Sequence, residues 1–414
     1  MGALLSGRAN AFGLLRLVLA TSVVYAHVYP LGYNSEDPLW GISGHQTDVG
    51  KMAVVGFFVL SGFMITSSGR RLGIGRYSWH RALRILPGLW VCVLVTALVV
   101  GPLLFMHLHG TTSGYWHHHP DGPFAYIKGM ATTAIASGYD ISGVMRTGVQ
   151  RGLLHNAAFD GALWSLKYEL LCYVIVGIFA AGGALKRAPR TVLLATLGLY
   201  ASMWANTWHA STLRGPSNEP AVYLRVPILG QASSHYIIYL TFAFLLGGCF
   251  QLFRDKIPVN DVLGVLSALV VLATFRWGMF TVVGYPAFAY MLIWLGLRLP
   301  KQVHWVGRKN DYSYGIYIYG FVVEQVLCMY GASHWGAPRY FGVSLALTAA
   351  VAFLSWHLVE KQAMRLKDWS PNRPGWTPGR SRRRAEARNG TRDETQGGLP
   401  AADPPSNVAV GQGA

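Results

Sequence analysis

The sequence contains few charged residues, and acidic ones are especially scarce. Only 13% of its 414 residues are charged, and 18 of these are Asp or Glu. Soluble globular domains carry about twice that share of charge. Composition therefore argues against the two or three soluble domains that the length alone would allow.

Cysteine is also rare, and its placement argues against two kinds of site. The four cysteines form no CxxC pair, and all fall inside apolar runs: Cys92, Cys172, Cys249 and Cys328. Cysteines in such runs usually act as small hydrophobic side chains. We therefore expect no disulfide and no metal site. The histidines at 107–119 suggest a solvated loop, because three adjacent histidines cannot all face one ion from regular structure.

Apolar residues are abundant, at 52% of the chain, and they occur in long runs. A helix needs about 20 of them to cross the hydrocarbon. The runs predict an all-α, polytopic membrane helix bundle of about ten transmembrane helices, at 11–31, 50–68, 83–106, 162–184, 191–210, 235–253, 260–276, 277–297, 311–331 and 338–359. The run at 123–138 is short and contains glycine, which favours a re-entrant or interfacial segment.

The basic residues give this bundle an orientation. The net charge is +17, and Lys and Arg cluster in the short loops on one side of the predicted membrane and in the tail. This bias marks the cytoplasmic side, so both termini are expected there. The predicted organisation is a cytoplasmic N-terminus at 1–10, a transmembrane domain at 11–367 and a disordered basic tail at 368–414. We expect the lipid bilayer as a partner and no nucleic acid, because no nucleic-acid motif is present.

Ionisable residues inside membrane spans are costly, so each one is a functional candidate. Arg16 and His27 lie eleven residues apart in the first span. That spacing places them on one helix face, about 16 Å apart. The alternative is that Arg16 extends to the headgroups and His27 is an interfacial histidine.

The fourth span opens with LWSLKYELLCY, which places Lys167 and Glu169 near its predicted outer end. Ser165 and Glu169 are four residues apart and share a face. The predicted topology puts Glu169, Asp48 and His27 at a similar depth, where either carboxylate would orient the histidine as a general base. A structural ion pair between Lys167 and Glu169 is the alternative.

Two further motifs precede the third span. FFVLSGF in the second span contains small residues, and for Gly56, Ser61 and Gly62 close helix packing is the favoured role. HRALRILP places Arg81 and Arg84 at the mouth of the third span. These arginines would anchor the helix or bind a phosphorylated ligand from the cytoplasm.

Together these motifs resemble the acyltransferase-3 family of membrane-bound O-acyltransferases, which acylate bacterial glycans and some macrolides. The resemblance covers roughly residues 10–368 and rests on Arg16 and His27, FFVLSGF, HRALRILP, LWSLKYE and SWHLVEK in order. The family's LWSLSVE has no lysine, so Lys167 is a departure. Tyr319 and Gly320 stand where a histidine is common, and Gln362 replaces a proline.

The resemblance implies an integral-membrane O-acyltransferase of the plasma (inner) membrane. Its donor would be acyl-CoA, in particular acetyl-CoA, and no cofactor or metal would be permanently bound. Arg16, Arg81 and Arg84 would contact the donor, and His27 would act as the general base, oriented by Glu169 or Asp48. The acceptor would be a hydroxyl of a glycan, a glycolipid or a small secondary metabolite.

Two other functional classes fit the intramembrane charges. A proton-coupled secondary transporter of a glycan or lipid intermediate also needs His, Arg and Glu inside its spans. A non-catalytic assembly factor of the cell envelope is the third hypothesis, and it would tolerate the loss of His27.

Overall fold

The computed structural model describes residues 1, 10–131, 140–147, 158–209, 222–226 and 230–369. The chain divides into a compact unit, Met1–Lys367, and a second unit, Asp368–Ala414. The predicted disordered tail lies outside the described residues except for 368 and 369, and the predicted N-terminus at 1–10 lies outside them except for 1 and 10.

The described chain is almost entirely helical. The helices in chain order are α1 Phe12–Tyr33, α2 Pro38–Ile42, α3 Val49–Arg71, α4 Ile74–Val95, α5 Gly101–His109, α6 Pro123–Ala131, α7 Val144–Thr147, α8 Leu166–Ala181, α9 Ala184–Arg187, α10 Pro189–His209, α11 Ser234–Leu252, α12 Asp261–Trp277, α13 Tyr285–Arg298, α14 Ser313–Met329, α15 Ala337–Ser355 and α16 Lys361–Arg365. One hairpin, β1 Tyr223–Val226 and β2 Gly230–Ser233, pairs antiparallel before α11.

This architecture confirms an all-α polytopic membrane protein. Seven helical segments within the described residues are long and apolar enough to cross a membrane. Each of the ten predicted spans coincides with a helix, while the count of ten spans and the cytoplasmic position of the termini stay predictions. The predicted division after residue 276 is close to the observed one, because α12 ends at Trp277 and helical structure resumes at Phe280.

The third span differs most from its prediction. One helical segment runs from Ile74 to His109, through a π-helical turn at Thr96–Val100 that joins α4 to α5. Its 36 residues exceed the length needed to cross the hydrocarbon. The HRALRILP motif therefore belongs to the first turns of α4 rather than to a loop, and this is a correction of the predicted span at 83–106.

Helix α3 is the central packing element. A Cβ on Gly62 would lie 1.8 Å from the carbonyl oxygen of Phe244 in α11, and a Cβ on Gly247 would lie 2.0 Å from that of Val59. Only glycine permits backbones to approach so closely. Packing is thus confirmed for Gly62, whereas Ser61 has another role. Helix α1 packs on the opposite side, where Ala26 contacts Gly50.

Candidate active site

A cavity of about 360 Å³ lies between α1, α3, α4, α8 and α14, and we call it the inner cavity. Its wall on α3 runs from Arg71 at one end to Val54 at the other. Seventeen residues of helix separate these two, which is about 25 Å along the axis. The cavity therefore reaches deep into the bundle from the end of α3 that carries the basic residues.

Four charged side chains form a cluster at the inner cavity: Arg16, Arg84, Asp311 and Glu360. Asp311, in the loop before α14, accepts hydrogen bonds from Arg16 of α1 and, at 2.8 Å, from Arg84 of α4. Arg84 also pairs with Glu360 at 3.3 Å. Burial raises the pKa of Asp311, but the two arginines outweigh it and lower the pKa to about 2. Asp311 is therefore ionised at neutral pH and joins three segments of the bundle.

The pairing of these arginines changes their predicted role. Arg16 and Arg84 both line the inner cavity as predicted, yet their guanidinium groups are paired with carboxylates. Within the described residues, Arg81 makes no ion pair and its Nε has no hydrogen-bond partner. Arg81 lies over the ring of Tyr173 at 5.9 Å and, together with Arg71, presents positive charge to the cavity.

Glu169 occupies this cavity and lies far from the position that the sequence predicted. Its Oε1 accepts hydrogen bonds from Tyr173 at 2.5 Å and from Ser61 at 3.2 Å. Ser61 is thirteen residues along α3 from Asp48, which is about 20 Å. The prediction that Glu169 lies at the depth of Asp48 near the outer end is wrong, because α8 packs with the Glu169 carboxylate against Ser61 of α3.

Lys167 points to a different partner from Glu169. Its Nζ donates to the carbonyl oxygen of Gln231 in β2 at 2.7 Å. The expected alternative, an ion pair between Lys167 and Glu169, is therefore not what the structure shows. As predicted, Ser165 and Glu169 share one face, and both line the inner cavity.

His27 lies beyond the deep end of the inner cavity. Its neighbour Ala26 contacts Gly50, one turn of α3 beyond Val54. The imidazole packs edge-on against Phe321 of α14 at 4.9 Å, and its Nδ1 lies 3.7 Å from Oε2 of Glu324. Arg16 and His27 therefore both face α14 or the loop before it, which confirms their predicted shared face.

Glu324 is the carboxylate beside His27, and it was not among the predicted site residues. It is fully buried, and neither of its oxygens has a hydrogen-bond partner within the described residues. An isolated carboxylate in such a position is costly unless a positive group approaches it. A glutamate in the middle of the ninth apolar run was the signal that could have identified it.

Asp48 has a structural role at the start of α3. Its side chain caps α3 by accepting from the backbone N–H of Lys51 at 2.6 Å and pairs with the Lys51 ammonium at 2.8 Å. These contacts occupy the carboxylate that was predicted to orient His27. The observed geometry assigns that contact to Glu324, while the catalytic roles predicted for His27, Glu169 and Asp48 stay predictions.

Comparison with known proteins gives matches over most of the chain. The family profile described as "Acyltransferase domain", Acyl_transf_3, matches residues 10–357. An "O-acetyl transferase" of Shigella phage Sf6 is 27% identical over 86% of this chain and 96% of its own length. "Nodulation protein 10" of Rhizobium leguminosarum bv. viciae is 25% identical over 87% of this chain and 95% of its own length. No solved structure gives a significant match.

Proposed function

Because the chain belongs to the acyltransferase-3 family of membrane O-acyltransferases, we propose that it moves an acyl group from acyl-CoA to a hydroxyl of a carbohydrate or secondary-metabolite acceptor. Acetyl is the expected acyl group. The observation that carries the proposal is the inner cavity, which leads from Arg71 and Arg81, unpaired within the described residues, towards His27 and the buried Glu324 beside it.

The donor enters from the end of the cavity that carries Arg71 and Arg81. Guanidinium groups bind phosphate well, and these two are not neutralised by carboxylates within the described residues. Arg16 and Arg84, held by Asp311, shape the cavity wall rather than supplying free charge. The arm and thioester then extend along α3 towards Val54, in the direction of His27.

His27 acts as the general base and Glu324 orients it. With Nδ1–H directed at Glu324, Nε2 is free to accept the proton of the acceptor hydroxyl. The hydroxyl oxygen attacks the thioester carbonyl carbon, the C–S bond breaks, and His27 returns the proton to the departing thiolate. Glu324 stabilises the imidazolium formed in between, which offsets the cost of its own buried charge.

The distribution of basic residues supports a direction for the proposed transfer. Most short-loop Lys and Arg residues lie at the end of the bundle where Arg71 and Arg81 open the inner cavity. Under the positive-inside bias this end is cytoplasmic, where acyl-CoA is available. We propose the plasma membrane as the location and a glycan, glycolipid or small hydroxyl compound on the other side as the acceptor.

The test uses purified protein in lipid nanodiscs with acetyl-CoA and with saccharides released from the envelope of the source cell. Release of the CoA thiol and acetyl gain by mass spectrometry are both measured. His27→Ala should lower transfer by about 10²–10⁴-fold, the usual contribution of a general base. Glu324→Gln should lower kcat more than it changes KM for acetyl-CoA.

His334→Ala is the matched control, because His334 is an exposed histidine in the turn between α14 and α15. It should retain wild-type transfer. Full activity of His27→Ala in a correctly inserted protein would refute the assignment of the base. Absence of thiol release by the wild-type protein would instead refute the acyl-CoA donor.

A further inference from the structure

A second cavity, of about 270 Å³, opens at the opposite end of α3, and we call it the outer pocket. Its walls come from the loop before α3, the first turns of α3 and α11, and the β1–β2 hairpin. Lys51 marks its position on α3, twenty residues from Arg71 at the inner mouth, which is about 30 Å. The two cavities therefore open on opposite faces of the bundle.

Val54 lines both cavities. A ligand in the outer pocket and one in the inner cavity would meet across this one side chain. Gly50 lies one turn away on α3, against Ala26, which precedes His27 in the chain. The outer pocket thus lies at the depth of the proposed base.

Aromatic rings dominate the outer pocket. Trp164 and Tyr236 have ring centroids 4.5 Å apart, and Trp40 and Tyr285 add further ring surface. The electron-rich faces of such rings attract polarised C–H groups. Aliphatic chains would find the same surface, but polar residues also line this pocket, among them Ser233 and Thr281.

The charge of the pocket is nearly balanced. Its lysine, Lys51, is paired with Asp48 at 2.8 Å and lies over the Trp40 ring at 4.7 Å. A phosphate or carboxylate ligand would have to compete with Asp48 for that ammonium. A neutral ligand with both C–H faces and hydroxyl groups fits better.

The hairpin wall is held by two neighbouring residues of α8. The Lys167 ammonium donates to the carbonyl oxygen of Gln231, and the Tyr168 hydroxyl accepts from the backbone N–H of Ser233 at 2.9 Å. These are the two positions at which LWSLKYE departs from LWSLSVE. The Ser233 hydroxyl is itself buried without a hydrogen-bond partner within the described residues, although Ser233 lines the pocket.

We propose that the outer pocket binds one neutral saccharide ring of the acceptor, and that Lys167 and Tyr168 are positioning residues that fix its hairpin wall. The role of this saccharide as an acceptor rests on the proposed acyl transfer. Its binding in the outer pocket does not depend on that transfer. The volume of the outer pocket is slightly below the roughly 300 Å³ at which pockets for drug-sized ligands begin. The pocket therefore holds one saccharide ring rather than an extended saccharide chain.

Binding is tested first without donor. Wild-type protein in nanodiscs is titrated with methyl α-D-glucopyranoside, methyl α-D-galactopyranoside and methyl α-L-rhamnopyranoside, and with sorbitol as an acyclic polyol. Tryptophan fluorescence reports occupancy near Trp40 and Trp164. At least one glycoside should change the emission saturably and sorbitol should not. Trp164→Leu should abolish the response, whereas Trp208→Leu, at an exposed tryptophan of α10, should preserve it.

Turnover is tested next with the glycoside that binds and with acetyl-CoA. Tyr168→Phe, which removes a single hydroxyl, should raise KM for the glycoside about fivefold, the effect of one lost hydrogen bond. Lys167→Met should raise it further. KM for acetyl-CoA and the slow release of CoA without acceptor should stay unchanged in both variants.

Three results would overturn the proposal: no glycoside binds, sorbitol binds as well as the glycosides, or Tyr168→Phe leaves KM for the glycoside unchanged. If Lys167→Met fails to fold, Tyr168→Phe still decides the matter. Saccharide binding with no CoA release by the wild-type protein would support the pocket while refuting the proposed donor. The two proposals therefore fail separately.

Discussion

Replacing Asp311 with Asn removes the negative charge that joins two arginines while keeping the size of the side chain. The Oδ2 atom of Asp311 accepts from Arg16 and Arg84, and Oδ1 accepts from the Ser313 hydroxyl at 2.6 Å. In the variant, Arg84 still faces Glu360. Arg16 loses its carboxylate partner, and a partly buried positive charge is left uncompensated.

The size of the effect follows from the pKa of Asp311, which falls from 3.8 to about 2 in the folded protein. At about 1.4 kcal/mol per pKa unit, this shift corresponds to about 2–3 kcal/mol of folding free energy. Removing one partner of a fully buried ion pair costs about 3–5 kcal/mol. The side chains of Arg16 and Asp311 are 21% and 17% exposed, so the lower end applies. We expect Asp311→Asn to lose about 2–3 kcal/mol.

The pH dependence tests the cause of this loss. Because the pKa of Asp311 is lowered on folding, its contribution is fully present above the unfolded value of 3.8. It is lost as the pH falls through the folded value of about 2. The part of the stability difference between wild type and Asp311→Asn that comes from the Asp311 charge should therefore shrink below pH 4.

The assay is thermal unfolding in detergent. After heating at each temperature, gel filtration measures the fraction of protein that remains monodisperse. A loss of 2–3 kcal/mol should lower Tm by about 5 °C. The double variant Arg16→Gln with Asp311→Asn should recover part of the loss, because the uncompensated charge is then absent. Equal Tm values for wild type and Asp311→Asn at pH 7 would refute the reasoning.

Three further predictions concern the cavity and the packing. Arg81→Gln should raise KM for acetyl-CoA and reduce its dependence on salt, as measured by thiol release, whereas an unchanged KM would remove Arg81 from the donor site. Gly62→Ala places a Cβ against the Phe244 carbonyl oxygen and should cost about 3 kcal/mol or more, seen as lost folded yield; a stable variant would contradict the close packing. Tyr317→Phe loses the hydrogen bond that its hydroxyl donates to the Ala162 carbonyl oxygen and the one it makes with Ser165, and should lower stability by about 1–3 kcal/mol, measured as a fall in Tm; no change would show that these two bonds contribute nothing.

The parts of the site that depend on local geometry could be predicted from the sequence. Arg16 and His27 share a face because helical periodicity alone fixes their relative direction. The close approach at Gly62 follows from the absence of a side chain. In both cases the information lies within one helix.

The partners could not be predicted, since they depend on which helices are neighbours. Glu324 reaches His27 and Asp311 reaches Arg16 because α14 packs against α1. Nothing in either segment alone indicates that pairing. Glu169 was misplaced for a related reason: its depth depends on how α8 packs against α3, where its carboxylate accepts a hydrogen bond from Ser61.

The wall shared by the two cavities has a consequence for the membrane itself. Solvent in the inner cavity and in the outer pocket would be separated by the section around Val54, so the insulating layer there would be thinner than the bilayer. The transmembrane voltage would then fall mainly across that short section. Under the proposed transfer, a neutral acyl group would cross this section without electrical work, while the phosphates of the proposed donor would stay with the arginines on one side.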